Sequence, residues 1–154
     1  MGKNFSPDWY FASAFDITPE FLLSHGIKAV VLDIDNTLVT YGDAEPTEKV
    51  IGWISALHSA GIKAAIASNN KEERVNLFNK KLGIFCISKS GKPSTKAVRA
   101  ACAEFSVSPR DTAVIGDQIF TDVLCANRAG AVAILTVPIP YNENLFFRFK
   151  RSLE

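Results

Sequence analysis

A chain of 154 residues, 47% hydrophobic and 21% charged, suits one domain with a buried core, taken here as residues 1–154. A net charge of +1 gives no electrostatic reason to expect nucleic acid as a partner. No apolar run approaches the roughly 20 residues that span a bilayer, and Met1–Asp8 lacks the apolar centre of a signal peptide, so a cytoplasmic location is expected. Cys86, Cys102 and Cys125 show no C-x-x-C spacing and read as reduced thiols in small core positions.

Residues 5–22 are rich in aromatics (Phe5, Trp9, Tyr10, Phe11, Phe15, Phe21) and are broken by Pro7 and Pro19. They are expected to form an N-terminal arm, about 1–27, with short helical pieces that cover an edge or face of the domain. Ala29-Val30-Val31-Leu32 then reads as a fully buried strand, and it ends in two aspartates, Asp33 and Asp35. Thr47 is placed to cap a helix that carries Val50, Ile51, Ile54 and Leu57 on one face and stops at Gly61. A strand over Lys63–Ala67 runs into Ser68-Asn69-Asn70, and a helix from near Lys71 carries Val75, Phe78 and Leu82. Ile84–Ile87 reads as a short strand, followed by the polar loop Ser88–Ser94. Lys92 precedes a proline and so belongs to that loop. Ser94 is expected to cap a helix with Ala97, Val98, Ala101, Cys102 and Phe105. Thr112–Ile115 is another buried strand, ending in Gly116-Asp117; a helix over about Thr121–Ala129 and a strand over Ala131–Leu135 follow.

Strands alternating with helices argue for an α/β fold: a Rossmann-like three-layer sandwich with a mainly parallel central sheet and right-handed crossovers. In such a sheet the carboxyl ends of the strands share one edge, where ligands bind. Asp33, Asp35, Ser68 and Asp117 should therefore meet in one crevice, within reach of Lys92. Clustered carboxylates suit a hard cation, Mg²⁺ first, which keeps waters and takes a phosphate oxygen. A lysine and a serine then suit the remaining phosphate oxygens. Two aspartates at i and i+2 can divide labour, one attacking phosphorus and the other moving the proton.

These residues resemble the haloacid dehalogenase (HAD) superfamily of phosphatases. Its D-x-D-x-T motif stands as Asp33-Ile34-Asp35-Asn36-Thr37, its Ser/Thr after the second strand as Ser68, and its lysine as Lys92 in Gly91-Lys92-Pro93. Its G-D-x(3,4)-D motif stands as Gly116-Asp117-Gln118-Ile119-Phe120-Thr121-Asp122. Asp35-Asn36-Thr37-Leu38 and Ser68-Asn69-Asn70 look like the YqeG-type, subfamily IIIA branch, related to phosphatidylglycerophosphate phosphatases. Pro7-Asp8, Phe15-Asp16-Ile17 and the basic tail after Val137-Pro138 extend that likeness over most of the chain.

The resemblance implies an aspartyl-phosphate mechanism. Asp33 would be nucleophile and Mg²⁺ ligand; Asp35 would be general acid/base, with its backbone carbonyl on the metal. Ser68 and Lys92 would bind phosphate, Asn69 would add a hydrogen bond, Asp117 would bind Mg²⁺, and Asp122 would hold Lys92 or a metal-bound water. Each has a plainer alternative: Asp122 as a dipole partner, Ser68 as a helix cap, Lys92 as surface charge. A lone buried Asp33 has none, because an unpaired buried carboxylate is costly.

Only about nine residues lie between Leu38 and the first long helix, so no cap domain fits. An open crevice admits bulky substrates such as a phospholipid head group, phosphatidylglycerophosphate by resemblance; the alternatives are soluble sugar phosphates or nucleotides, or a non-catalytic phosphate-binding module. In the tail, about 138–154, Leu145, Phe146, Phe149 and Leu153 share one helical side, with Arg148, Lys150 and Arg151 beside them. That pattern fits either peripheral contact with an anionic membrane or packing on the domain.

Overall fold

The computed structural model describes residues 2–139. Its centre is one sheet of six parallel strands: β1 (Trp9–Phe11), β2 (Ala29–Leu32), β3 (Lys63–Ala67), β4 (Phe85–Ile87), β5 (Thr112–Gly116) and β6 (Val132–Thr136). They lie in the order β1-β6-β5-β2-β3-β4. The chain starts outward from β2 in one direction and then crosses back to β5, so β2 sits beside the point where the winding reverses. Ligands of open parallel sheets bind at that point, outside the carboxyl ends.

Alternation along the strands divides the core into two layers. On one face Val30, Leu32, Ile66, Ile115 and Ile134 pack against α1 (Pro19–Ser24), α2 (Glu48–Ser59) and α3 (Glu72–Asn79), through Leu22, Val50, Ile54, Leu57, Val75 and Phe78. On the other, Val31, Ala65, Ala67, Val114 and Ala133 meet α4 (Lys96–Phe105) and α5 (Leu124–Ala129), through Ala97, Val98, Ala101 and Ala126. Buried Cys102 and Cys125 belong to this second layer of small side chains; all three cysteines are free, as expected. The three-layer α/β expectation holds, and no module is inserted among the described residues, so the site edge is uncapped.

Local signals explain most boundaries. Thr47 caps α2, its Oγ1 accepting the Val50 N–H at 3.2 Å. Ser94 Oγ accepts the Lys96 N–H at 3.3 Å, but α4 itself begins at Lys96, with Thr95 as the flanking residue. The helix expected over Thr121–Ala129 is in two parts: a π turn, Ile119–Val123, and then α5.

The N-terminal segment differs from expectation. Short helical pieces are present, but Trp9–Phe11 is a strand that pairs with β6 in the register Trp9↔Ile134 to Phe11↔Thr136. The arm therefore supplies the sheet's edge strand as well as covering one face, where Ala14, Ile17 and Leu22 join the core. Asp8 starts the pairing: its Oδ2 accepts the Ala133 N–H at 2.8 Å and its own N–H donates to the Ala133 carbonyl at 2.8 Å. Trp53 Nε1 donates to the Ile17 carbonyl at 2.9 Å and ties the segment to α2. The amphipathic tail lies outside the described residues apart from its first positions. Among the described residues no helix is long and apolar enough to cross a membrane.

Candidate active site

Three strand ends supply the site. Pairing of Leu32 with Ile115 brings Asp33 level with Gly116, and the Asp33 N–H donates to the Ile115 carbonyl at 3.1 Å. Asp33, Ser68 and Asp117 follow β2, β3 and β5 directly. They line or adjoin an open cleft of ≈ 340 Å³, which Asp35, Asn69, Lys92, Tyr41, Gln118 and Thr121 also border.

Lys92 is the hub. Its Nζ lies 2.7 Å from Asp122 Oδ1 and 3.4 Å from Asp33 Oδ1, with the Lys92 and Asp122 side chains only 3% and 2% exposed. The reading of Lys92 as a solvated surface charge is thereby excluded. Asn69 holds the loop that delivers it: Asn69 Oδ1 accepts from the Lys92 N–H (2.9 Å) and from Ser90 Oγ (2.8 Å), while Nδ2 donates to the Lys92 carbonyl (3.0 Å). Both ends of the Asn69 amide are thus engaged with the protein. Ser68 is buried, and its Oγ accepts the Asn70 N–H at 3.1 Å, so it does stabilise the turn into α3. Its own O–H donates to none of the described residues.

Asp122 is delivered by the π turn, a feature that recurs at functional sites. Its Oδ2 accepts the Gln118 N–H at 3.2 Å. Its side chain lies so close over Gly116 that a Cβ added there would sit 2.6 Å from Asp122 Cβ, inside any real contact distance. That clash is the physical reason for glycine before Asp117. Asp117 in turn accepts from Thr37 Oγ1 at 3.0 Å, which gives the buried threonine of the first motif its task.

The electrostatics are unbalanced. Single oxygens of Asp33, Asp117 and Asp122 all lie within 4.8 Å of one another. Burial raises Asp33 to about 8; Lys92 opposes the shift while Asp122 and Asp117 reinforce it. Burial and then Asp122 raise Asp117 to about 6, against the Thr37 hydrogen bond. Burial works against the charge of Lys92, but Asp122 and Asp33 outweigh it and hold the amine protonated above the usual lysine range. Three carboxylates with one ammonium leave excess negative charge, and an all-oxygen set of this kind fits a hard divalent cation.

Asp35 faces elsewhere. Its Oδ1 accepts from Arg74 Nη2 at 2.9 Å and its Oδ2 from Asn70 Nδ2 at 3.1 Å. The carboxylate triad is accordingly Asp33, Asp117 and Asp122 rather than one that includes the Asp35 side chain. Sequence reasoning did not find Arg74. It sits in Lys71-Glu72-Glu73-Arg74, a charge run that reads as the solvated start of a helix.

A model of the haloacid dehalogenase-like hydrolases matches residues 40–130. Over all of its 154 residues the chain is 41% identical to the "Probable phosphatase YqeG" of Bacillus subtilis (strain 168), covering 90% of that protein. The chain belongs to the haloacid dehalogenase-like hydrolases. Within them it is a YqeG-type phosphatase, as the motifs implied. Solved HAD-like structures share the fold. The cobalt-bound deoxy-D-mannose-octulosonate 8-phosphate phosphatase YrbI of Haemophilus influenzae superposes with a TM-score of 0.59 at 21% identity, over 73% of this chain and 69% of that one. A HAD family hydrolase of Deinococcus radiodurans R1, with bound phosphate and sodium, gives 0.61 at 16%, over 81% and 89%. The phosphatase assignment makes a phosphorylated compound the substrate.

Proposed function

We propose that this HAD-like phosphatase is a Mg²⁺-dependent phosphomonoester hydrolase that works through an aspartyl-phosphate on Asp33. The observation that carries the reading is the array of part-buried Asp33 with buried Lys92 and Asp122, beside Asp117 at the cleft. Asp33 and Asp117 would hold the metal through their carboxylates and Asp35 through its backbone carbonyl, since the Asp35 side chain is engaged with Arg74 and Asn70. Bound there, the cation supplies the positive charge that the cluster lacks.

The Asp33 oxygen attacks phosphorus and the bond from phosphorus to the leaving oxygen breaks; Asp35 gives that oxygen its proton. Asp35 then takes a proton from water, the water oxygen attacks phosphorus, and the bond to Asp33 breaks to release inorganic phosphate. Lys92 and the Ser68 O–H bind the non-bridging oxygens. Asp122 fixes Lys92, and Asn69, its amide already engaged, serves by shaping the Lys92 loop.

The substrate proposed is bulky and amphiphilic, a phospholipid such as phosphatidylglycerophosphate. Its support is an uncapped cleft with aromatic borders. Tyr41 is 60% exposed at the cleft, and Phe120 is 72% exposed between the cleft residues Gln118 and Thr121, with the Phe5 ring edge-on at 5.7 Å. Such rings favour the boundary between water and apolar groups. Peripheral membrane contact through the tail belongs to the same proposal.

A chromogenic phosphomonoester tests the chemistry. The protein should turn it over with Mg²⁺, stop with EDTA and lose activity as Asp33→Asn; activity that survives the substitution overturns the aspartyl-phosphate route. A panel of phosphatidylglycerophosphate in vesicles, sugar phosphates and nucleotides tests the substrate. Preference for a soluble compound overturns the lipid reading.

A further inference from the structure

Both oxygens of the Asp35 carboxylate are held by residues at the start of α3 or in the turn before it. Arg74, in α3, takes Oδ1, and Asn70, in the turn before α3, takes Oδ2. The arginine is held in its turn. Its side chain is 11% exposed, and its guanidinium carbon lies 5.6 Å from the centroid of the fully buried Phe78 ring. Among the described residues its Nε and Nη1 are buried with no hydrogen-bond partner.

For stability alone this is a poor arrangement. A buried guanidinium that satisfies one acceptor leaves costly donors behind, and an apolar side chain of similar size would serve the fold as well. What the arrangement achieves is direction. One guanidinium nitrogen, Nη2, meets Oδ1 from α3 while Asn70 meets Oδ2, so the two contacts together restrict rotation of the carboxylate. A group that must deliver a proton to one oxygen needs that fixed aim.

We infer that Arg74, with Asn70, is the positioning residue of the reaction, fixing the Asp35 carboxyl where it meets the leaving-group oxygen. The inference rests on the phosphatase reading, with Asp35 as acid/base. It requires that losing Arg74 hurt substrates in proportion to their need for that proton. An alkoxide leaving group needs protonation; a nitrophenolate leaves without it.

The test compares kcat/KM for glycerol phosphate and p-nitrophenyl phosphate, with Mg²⁺, in wild type, Arg74→Met, Arg74→Lys and Asn70→Ala. Arg74→Met should lose roughly 10²-fold on the alkyl phosphate, in line with the usual worth of acid–base catalysis, and at least tenfold less on the aryl one. Arg74→Lys should fall between wild type and Arg74→Met, and Asn70→Ala should show the same selective loss in smaller measure. Equal losses on both substrates make Arg74 a structural or phosphate-binding residue and overturn the inference, as does no loss. If Arg74→Met does not fold, the selectivity of Arg74→Lys and Asn70→Ala decides. A wild type that turns over neither of these nor phosphatidylglycerophosphate overturns the proposed hydrolysis itself, a different result from an active wild type with indifferent variants.

Discussion

Asp33 and Asp35 leave the same strand with one residue between them, yet their surroundings are opposite. Asp33 shares one ammonium with Asp122 and has Asp117 close by, so its corner of the site is short of positive charge. Asp35 has a guanidinium and an amide to itself. A strand would place residues i and i+2 on one face. The split arises because β2 ends at Leu32 and the chain then turns, with Asn36 at φ 63°. Asp33 meets Lys92 from the loop after β4, and Asp35 meets Arg74 of α3. Two carboxylates of one motif can then hold two roles because their environments differ, not their chemistry.

The sharpest way to break the comparison is to remove each aspartate in turn. Asp33→Asn should cost roughly 10⁴-fold or more in kcat, the scale for loss of a nucleophile. In EDTA the same variant should melt above wild type, because a carboxyl whose ionisation burial opposes has been made neutral. Asp35→Asn should bring no such gain, since it removes the negative charge that pairs with Arg74 and turns one of two occupied acceptor oxygens into a donor. Thermal melts of the metal-free proteins decide; equal shifts for the two variants would erase the distinction.

Next in size is Lys92→Met. It strands Asp33 and Asp122 together, and breaking a buried ion pair from one side costs about 3–5 kcal/mol, a large share of a domain's stability. Urea unfolding should show that loss, and adding Asp122→Leu should recover much of it. Failure of the second substitution to help would mean that the array is less buried than its exposure implies.

Much of the Asp33 side is legible in sequence, and the reason is geometric. Parallel strands place their carboxyl ends together, so Asp33, Ser68 and Asp117 can be assigned to one crevice from buried runs alone. Lys92 and Asp122 needed the motif spacing as well, because a loop and a π turn deliver them and neither has a periodicity. The Asp35 side was not legible. Arg74 lies among charged residues at a helix start, and nothing local shows that its side chain turns inward over Phe78. β1 was missed for a related reason: three aromatics between Pro7 and Ser13 carry too little pattern to mark a strand, and their pairing with β6 spans most of the chain.

Gly116→Ala is a smaller intervention on the Asp33 side. The added methyl must displace Asp122, at a cost of about 1–3 kcal/mol typical of overpacking. Activity should fall further than stability, since Lys92 loses its fixed partner. The Arg74–Asp35 contact lies away from Gly116, so the ratio of alkyl to aryl turnover should stay that of wild type; a changed ratio would show that the two sides are coupled.

The mildest test varies pH. Asp33 and Asp117 ionise near the ordinary 3.8 when unfolded but are raised to about 8 and about 6 when folded. Between roughly pH 4 and 8 the folded chain therefore holds more protons than the unfolded one, and stability falls as pH rises through that window. Metal-free protein should melt lower at pH 8 than at pH 5.5, by about 1–3 kcal/mol in stability on the linkage scale. Mg²⁺ needs the carboxylates deprotonated, so the stabilisation it gives should grow over the same interval and offset the loss. Melts at both pH values, with EDTA and with Mg²⁺, check both slopes. A metal-free melting point that rises with pH would mean that Lys92 neutralises Asp33 fully, and the contrast with Asp35 would then be one of direction alone.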